Sequence, residues 1–404
     1  MCGPAAKAGA KRRSRTIASL GENCTLIDQA DQAMARGDVR QAASLLELAA
    51  QRGHDAATLL RLATVRRSVG DLAGAMQAAA AAVELAPRNF LMSLLLGSLR
   101  EATGALHAAE RAYRSACVHA PLDLSFQPSV AGQLEHARRR VAAAERWRKR
   151  LLEWHPEGAL LELKADEERR LRHFRNNILE NLDAGPLAPP LFLLPGIRPK
   201  RYFDPSRFAG IAELEAATDD VRDEFLALAQ SKSAELSARL GGLHTADSDA
   251  GRPGQWSMIP LIRDGAVVEA FAERCPRTMA LARALDMPRL GHISPSLYFS
   301  VLEPRSRIAP HVGITNARII AHLPLIVPDD CGFRVGGETR QWKAGKALVF
   351  DDMATHDAWN DSDRIRVVLI ADLWRPELSA LERAGIEDLM DCAGLGEAQE
   401  PRRA

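Results

Sequence analysis

The stretch Pro310-His311-Val312-Gly313-Ile314-Thr315-Asn316, continued by Arg318 and His322 and closed by Phe350-Asp351-Asp352, His356 and Arg366, sets the reading of the whole 404-residue chain. Its two outer histidines stand 45 positions apart, with turn residues at Gly332 and Gly336-Gly337 between them and apolar alternating runs on either side. That pattern predicts a small antiparallel barrel with both histidines facing inward, the placement that an iron site on a double-stranded β-helix needs.

Working outward, Arg366-Val367-Val368-Leu369-Ile370-Ala371 is β-branched, short and apolar, which predicts a buried strand with Arg366 on one face. Period-two alternation puts Arg366, Val368 and Ile370 on the same side. A guanidinium inside a barrel needs an anion, so Arg366 meets either a protein carboxylate or the carboxylate of a bound acid. From Arg318 to Pro324 the same alternation sets Arg318, Ile320 and His322 on one face and Ile319, Ala321 and Leu323 on the other. One polar face and one packed face describe a strand that lines a cavity.

The residues His311-Val312-Gly313, Thr315-Asn316, Arg318, His322-Leu323-Pro324-Leu325, Gly337-Glu338-Thr339-Arg340, Trp342, Val349-Phe350-Asp351-Asp352, His356, Trp359-Asn360-Asp361 and Arg366 resemble the aspartyl/asparaginyl β-hydroxylase family. The similarity runs from near Leu194-Pro195-Gly196 to near Trp374-Arg375-Pro376-Glu377-Leu378, about half of the chain. The resemblance implies a dioxygenase that uses Fe(II), 2-oxoglutarate and O2 to hydroxylate an unactivated C–H, the β-carbon of an Asp, Asn or related residue. It makes His311 and His356 the iron ligands. Gly313 stands where the usual His-x-Asp/Glu pattern has its carboxylate, a known omission of the family that leaves Asp352 to orient a water at the metal. Arg366 and Ser300 take the distal carboxylate of 2-oxoglutarate, His322 meets its other end, and Arg318 meets an acidic group of the substrate. One position departs from the pattern. Family members acting on acidic side chains carry a second arginine two residues after the one matching Arg318, and this chain has Ile320.

From about 26 to 121 the chain repeats itself. Gly37-Asp38, Gly70-Asp71 and Gly104-Ala105 are 33 and 34 residues apart, each glycine is followed five positions later by Ala42, Ala75 or Ala109, and Pro87 and Pro121 are also 34 apart. This spacing resembles the tetratricopeptide repeat and implies three helix pairs with a groove that can hold a peptide or protein.

The expected organisation is a multidomain α + β chain: a basic tail over 1–25, the α-helical repeat solenoid over 26–125, a charged helical connector over 126–184, the double-stranded β-helix (jelly-roll, cupin-like) domain with flanking helices over 185–378, and a C-terminal helix and tail over 379–404. A helical pair within 211–240 is expected to brace the barrel. The connector contains Arg138-Arg139-Arg140 and Glu167-Glu168-Arg169-Arg170, mixed signs that predict a solvated, ion-paired face.

Lysines and arginines number 53 against 52 acidic residues, a net charge of +1, which argues against a nucleic-acid partner. The six cysteines fall without paired spacing, so neither a disulfide framework nor a zinc site is expected. No membrane span is expected either, and a reducing, cytoplasmic setting fits. The alternative to an enzyme is a repeat-based adaptor with a non-catalytic cupin-like binding barrel. His311, His356 and Arg366 together argue against it, because a barrel that only binds has no need of all three.

Overall fold

A computed structural model describes residues 23–53, 55–123, 128–188, 191–230, 256–263, 265–291 and 293–394. Most of the expected basic tail, the last residues of the chain and residues 231–240 of the expected 211–240 helical pair lie outside these. The chain divides into two compact units, one of residues up to 143 with 184–188, the other of 144–183 with everything from 189 onward.

The first unit contains three helix pairs: α1 (23–35) with α2 (Val39–Gly53), α3 (Ala56–Ser68) with α4 (Leu72–Leu85), and α5 (Phe90–Ala102) with α6 (Leu106–His119). Each pair turns in the same way. Gly37, Gly70 and Gly104 have φ of +78°, +83° and +87°, which only glycine adopts at little cost. The residue after each donates its N–H five positions back, from Asp38 to Ala33, Asp71 to Arg66 and Ala105 to Arg100, all at 2.9 Å. This closing bond satisfies a carbonyl that the helix end would leave orphaned. Asp71 and Asn89 then cap α4 and α5 through backbone N–H groups. Ala42, Ala75 and Ala109 are buried where the helices touch. At Gly97 a Cβ would come within 2.4 Å of the Tyr113 ring. The repeat period read from the sequence is therefore a backbone fact.

The second unit holds two antiparallel sheets. The larger has strand order β1-β9-β6-β11-β4-β2-β3 and the smaller β5-β10-β7-β8, where β1 is Tyr202–Phe203, β2 Trp256–Arg263, β3 Ala266–Val267, β4 Leu297–Leu302, β5 Ser306–His311, β6 Arg318–Ile326, β7 Cys331–Val335, β8 Glu338–Arg340, β9 Leu348–Phe350, β10 His356–Asn360 and β11 Arg366–Trp374. In the centre of the large sheet Ile370 is level with Tyr298 on β4 and His322 on β6. One face carries Ile319, Ala321, Leu323, Val367, Leu369 and Phe299 into a core shared with Ile211–Ala216, Thr218–Gln230 and Pro276–Ala282. The other carries Ile320, Val368, Ile370 and Leu302 into a core shared with Phe333, Trp342 and Ala358. The alternation expected for 318–324 and 366–371 is what separates these cores.

The stretch expected as a solvated connector departs from that reading. From 144 on it belongs to the second unit, where Leu151, Trp154, Leu171, Phe174, Ile178 and Leu182 are buried with residues of the barrel and of the C-terminal helix Ala380–Cys392. The reason is spacing. Leu171, Phe174, Ile178 and Leu182 fall at intervals of three and four, so the charges crowd one side and leave an apolar stripe on the other. Trp154 Nε1 donates to Asp388 at 2.6 Å, and Arg170 Nε to Glu382 at the same distance.

Candidate active site

His311 ends β5 and His356 begins β10, and the two are directly paired across the small sheet. Their ring centroids are 4.0 Å apart. Each imidazole is held by its own strand: His311 Nδ1 bonds the carbonyl of Ala309 at 2.8 Å and His356 Nδ1 that of Ala354 at 3.0 Å. A carbonyl only accepts, so Nδ1 carries the proton and Nε2 keeps its lone pair for a ligand. Burial, with His311 beside it, pulls the His356 pKa down to about 4, which keeps that ring neutral at physiological pH.

No third ligand joins them: among the described residues no group of three or more His, Cys, Asp or Glu side chains is disposed to hold a metal. The reason is visible at Gly313. A Cβ there would lie 2.2 Å from Asp352 Oδ2 and 2.4 Å from its Cγ, so the carboxylate of Asp352 fills the space that a side chain at 313 would need. The Gly313 N–H donates to the Asp352 carbonyl at 2.7 Å and locks the two loops together.

Asp352 is buried, and its Oδ1 has no hydrogen-bond partner. Burial raises its pKa to about 6, against the opposing pull of Arg318, whose Nη2 is 3.4 Å from Oδ2. Arg318 also donates to Asp372 at 2.8 Å. Asp372 in turn accepts from Ser294 Oγ at 2.5 Å and the Ser296 N–H at 2.9 Å. Burial alone would lower the Arg318 pKa; Asp372 and Asp352 outweigh it and raise it. The guanidinium expected to meet an acidic substrate group is thus paired within the protein with two buried aspartates, Asp352 and Asp372.

Arg366 shows the opposite balance. It is 1% exposed, and its Nη1 donates to the Ser300 carbonyl at 3.3 Å and to Ser300 Oγ at 3.1 Å. The Trp342 ring lies 4.8 Å below the guanidinium, and Trp256 Nε1 donates to Ser300 Oγ at 2.9 Å. Among the described residues no carboxylate pairs with Arg366, and burial pulls its pKa down to about 10. Of the two partners left open by the sequence, the protein carboxylate is therefore ruled out among these residues. Between the two ends sits His322, its ring 4.9 Å from Phe333 and 4.8 Å from Phe350. Burial and the Arg366 charge push its pKa well down, and its Nδ1 has no partner.

All seven residues named from the sequence thus lie on the facing walls of one barrel or at its mouth. Four others belong with them. Asp372 was legible as the next inward position after Arg366, Val368 and Ile370. Trp342 had appeared only as part of a motif. Tyr298 and Trp256 carried no signal in the sequence, since a lone aromatic in a strand is most often packing.

Residues 215–376 match the family model described as Aspartyl/Asparaginyl beta-hydroxylase. Aspartyl/asparaginyl beta-hydroxylase of Mus musculus is 34% identical over 144 residues, covering 35% of this chain and 19% of its own length. Ornithine lipid ester-linked acyl 2-hydroxylase of Rhizobium tropici is 32% identical over 179 residues, 43% of this chain and 60% of its own length. The chain thus spans about a fifth and three fifths of the lengths of these two relatives. A solved structure of the first TPR of Spaghetti (RPAP3) bound to an HSP90 peptide is similar over 30% of this chain and 93% of its own, at 15% identity and a TM-score of 0.26. The repeat assignment stands on the turns described above. Over residues 215–376, the chain is similar to the aspartyl/asparaginyl β-hydroxylase family.

Proposed function

We propose that the protein is an Fe(II)- and 2-oxoglutarate-dependent hydroxylase that oxidises a methylene beside a carbonyl group. The observation that carries this reading is the His311–His356 pair, its Nδ1 atoms tied to backbone, in a barrel whose wall holds the unneutralised Arg366. Unpaired polar atoms in that barrel, Asp352 Oδ1, His322 Nδ1, Trp342 Nε1 and Arg366 Nε, fit a polar ligand set better than a sealed core.

His311 and His356 hold the metal through Nε2. Arg366 and Ser300 receive the far carboxylate of 2-oxoglutarate, a charge-assisted contact stacked on Trp342. His322, neutral, bonds the near end of the same molecule. Asp352, steadied by Arg318, accepts from a water beside the metal and keeps it oriented. The aromatic lining of Phe333, Trp342 and Phe350 excludes bulk water. Bound iron supplies the means of activating O2, and the balance is that substrate C–H, O2 and 2-oxoglutarate give C–OH, succinate and CO2. The names of both relatives describe hydroxylation next to a carbonyl: the β-carbon of Asp or Asn adjoins the side-chain carbonyl, and C2 of an acyl chain adjoins its ester.

The test is anaerobic titration of Fe(II) and 2-oxoglutarate, followed by succinate detection on admitting O2. Binding and succinate formation are expected in the wild type and lost in His311→Ala and His356→Ala, because each removes one of two protein bonds to the metal. Full succinate formation by either variant would overturn the assignment.

A further inference from the structure

We propose that the group presented to this site is uncharged: a methylene beside an amide or ester carbonyl, seated against Ile320 and Ile370, with the carbonyl accepting a hydrogen bond from the Tyr298 hydroxyl. The inference rests on the hydroxylase reading above and concerns what that site selects.

Three observations converge. The first is the charge balance of the inner wall. The charged groups that act on Tyr298 are Asp372, Arg318, Asp352 and Arg366. Arg318 is held by both aspartates, and Arg366 is the one arginine of this set without a carboxylate. Once 2-oxoglutarate occupies Arg366, an incoming carboxylate finds no free cation in this set and faces two buried carboxylates. A desolvated charge without a partner is strongly disfavoured.

The second is the apolar bed. Ile320 and Ile370 are buried on the inner face, with the part-buried Tyr298 ring packed against the same cluster. Ile320 lies level with Phe350 on β9, whose ring centroid is 5.2 Å from that of His356, so the apolar surface borders the metal ligands. The third is the Tyr298 hydroxyl. It stands two residues before Ser300 on the same face of β4, level with Ile370, and has no hydrogen-bond partner among the described residues. Burial keeps its proton on, so it is a donor at any physiological pH. A neutral carbonyl satisfies it.

The experiment compares three probes on the full chain: a peptide containing Asp, the same peptide with Asn, and an ester-linked acyl lipid in detergent micelles. Equilibrium binding is measured anaerobically with Fe(II) and 2-oxoglutarate present, and hydroxylated product after admitting O2. The Asn peptide or the acyl lipid is expected to bind at least tenfold more tightly than the Asp peptide, and whichever does so identifies the source of the carbonyl. Tyr298→Phe should weaken that favoured probe by roughly two- to tenfold, the range of one net hydrogen bond, and leave the weaker Asp peptide where it was. Ile320→Arg should invert the order, which a merely unstable variant does not do. Preference of the wild type for the Asp peptide, binding of none of the three probes, or equal weakening of all three by Tyr298→Phe would overturn the proposal. Absence of any succinate in the wild type, with the binding order intact, would instead strike the hydroxylase reading.

Discussion

Placing an aspartate at Gly313 restores on paper the common two-histidine, one-carboxylate iron site, and the packing around Gly313 predicts that it disrupts the proposed one. The new Cβ would sit 2.2 Å from Asp352 Oδ2 and 2.8 Å from Oδ1, well inside contact distance, so the Asp352 carboxylate has to leave. It has little room to do so, being buried and joined to Arg318. Overpacking of this kind costs about 1–3 kcal/mol, and a second buried carboxylate adds repulsion, so Gly313→Asp should lose more than Gly313→Ala. At ~2–4 °C per kcal/mol for a domain of this size, Gly313→Ala should unfold several degrees earlier, measured on metal-free protein by circular dichroism. The double variant Gly313→Ala/Asp352→Gly removes the clash and should be less destabilised than the sum of the single changes. Anaerobic Fe(II) titration should show no gain in affinity for Gly313→Asp. A Gly313→Asp protein that binds iron more tightly and forms succinate faster than the wild type would refute the reasoning, since the missing carboxylate would then be a defect.

Arg366→Ala should raise the 2-oxoglutarate requirement about ten- to a hundredfold, a charge-assisted contact being worth roughly 1.5–3 kcal/mol, and an unchanged affinity in calorimetry would make Arg366 structural. Asp352→Asn should stabilise the metal-free protein at neutral pH. The folded pKa of Asp352 is raised from 3.8 to about 6, so the wild type loses stability as pH climbs through that window. About two pH units correspond to roughly 3 kcal/mol, present above pH 6 and gone below pH 4; denaturant curves with no pH-dependent gap would show that Arg318 compensates the charge. Phe174→Ala should cost ~3–5 kcal/mol and unfold the barrel unit on the order of 10 °C earlier, whereas a solvated connector would tolerate it without effect.

Strong period-two alternation made the barrel legible, because a strand between two cores must sort its side chains by face, and 318–324 and 366–371 do so without exception. The repeats were legible for a different reason: a left-handed turn demands glycine, and Gly37, Gly70 and Gly104 mark it at fixed intervals. The features hidden from a sequence reading depend on partners distant along the chain. The 126–184 segment looked solvated because its arginines and glutamates outnumber its apolar stripe, and only the helix Ala380–Cys392 and the barrel wall reveal what that stripe covers. Arg318 looked available for substrate because Asp372, its closest partner, lies 54 positions away.

The backbone ties on His311 and His356 have a consequence for how the protein would handle the proposed metal. A site that assembles only around its ion couples loading to folding, so that a chelator unfolds it. Here each ring takes its orientation from a carbonyl two residues earlier on its own strand, a tie in which the ion has no part. Under the proposed reading, emptying and refilling are exchanges at a finished surface. With only two nitrogens offered, those nitrogens do little to tell one divalent ion from another, and zinc or copper can take the seat by the ordinary order of affinities. Fidelity to iron then resides in the cosubstrate and in which ions the surroundings supply, and an inactive preparation is restored by changing the solution around it.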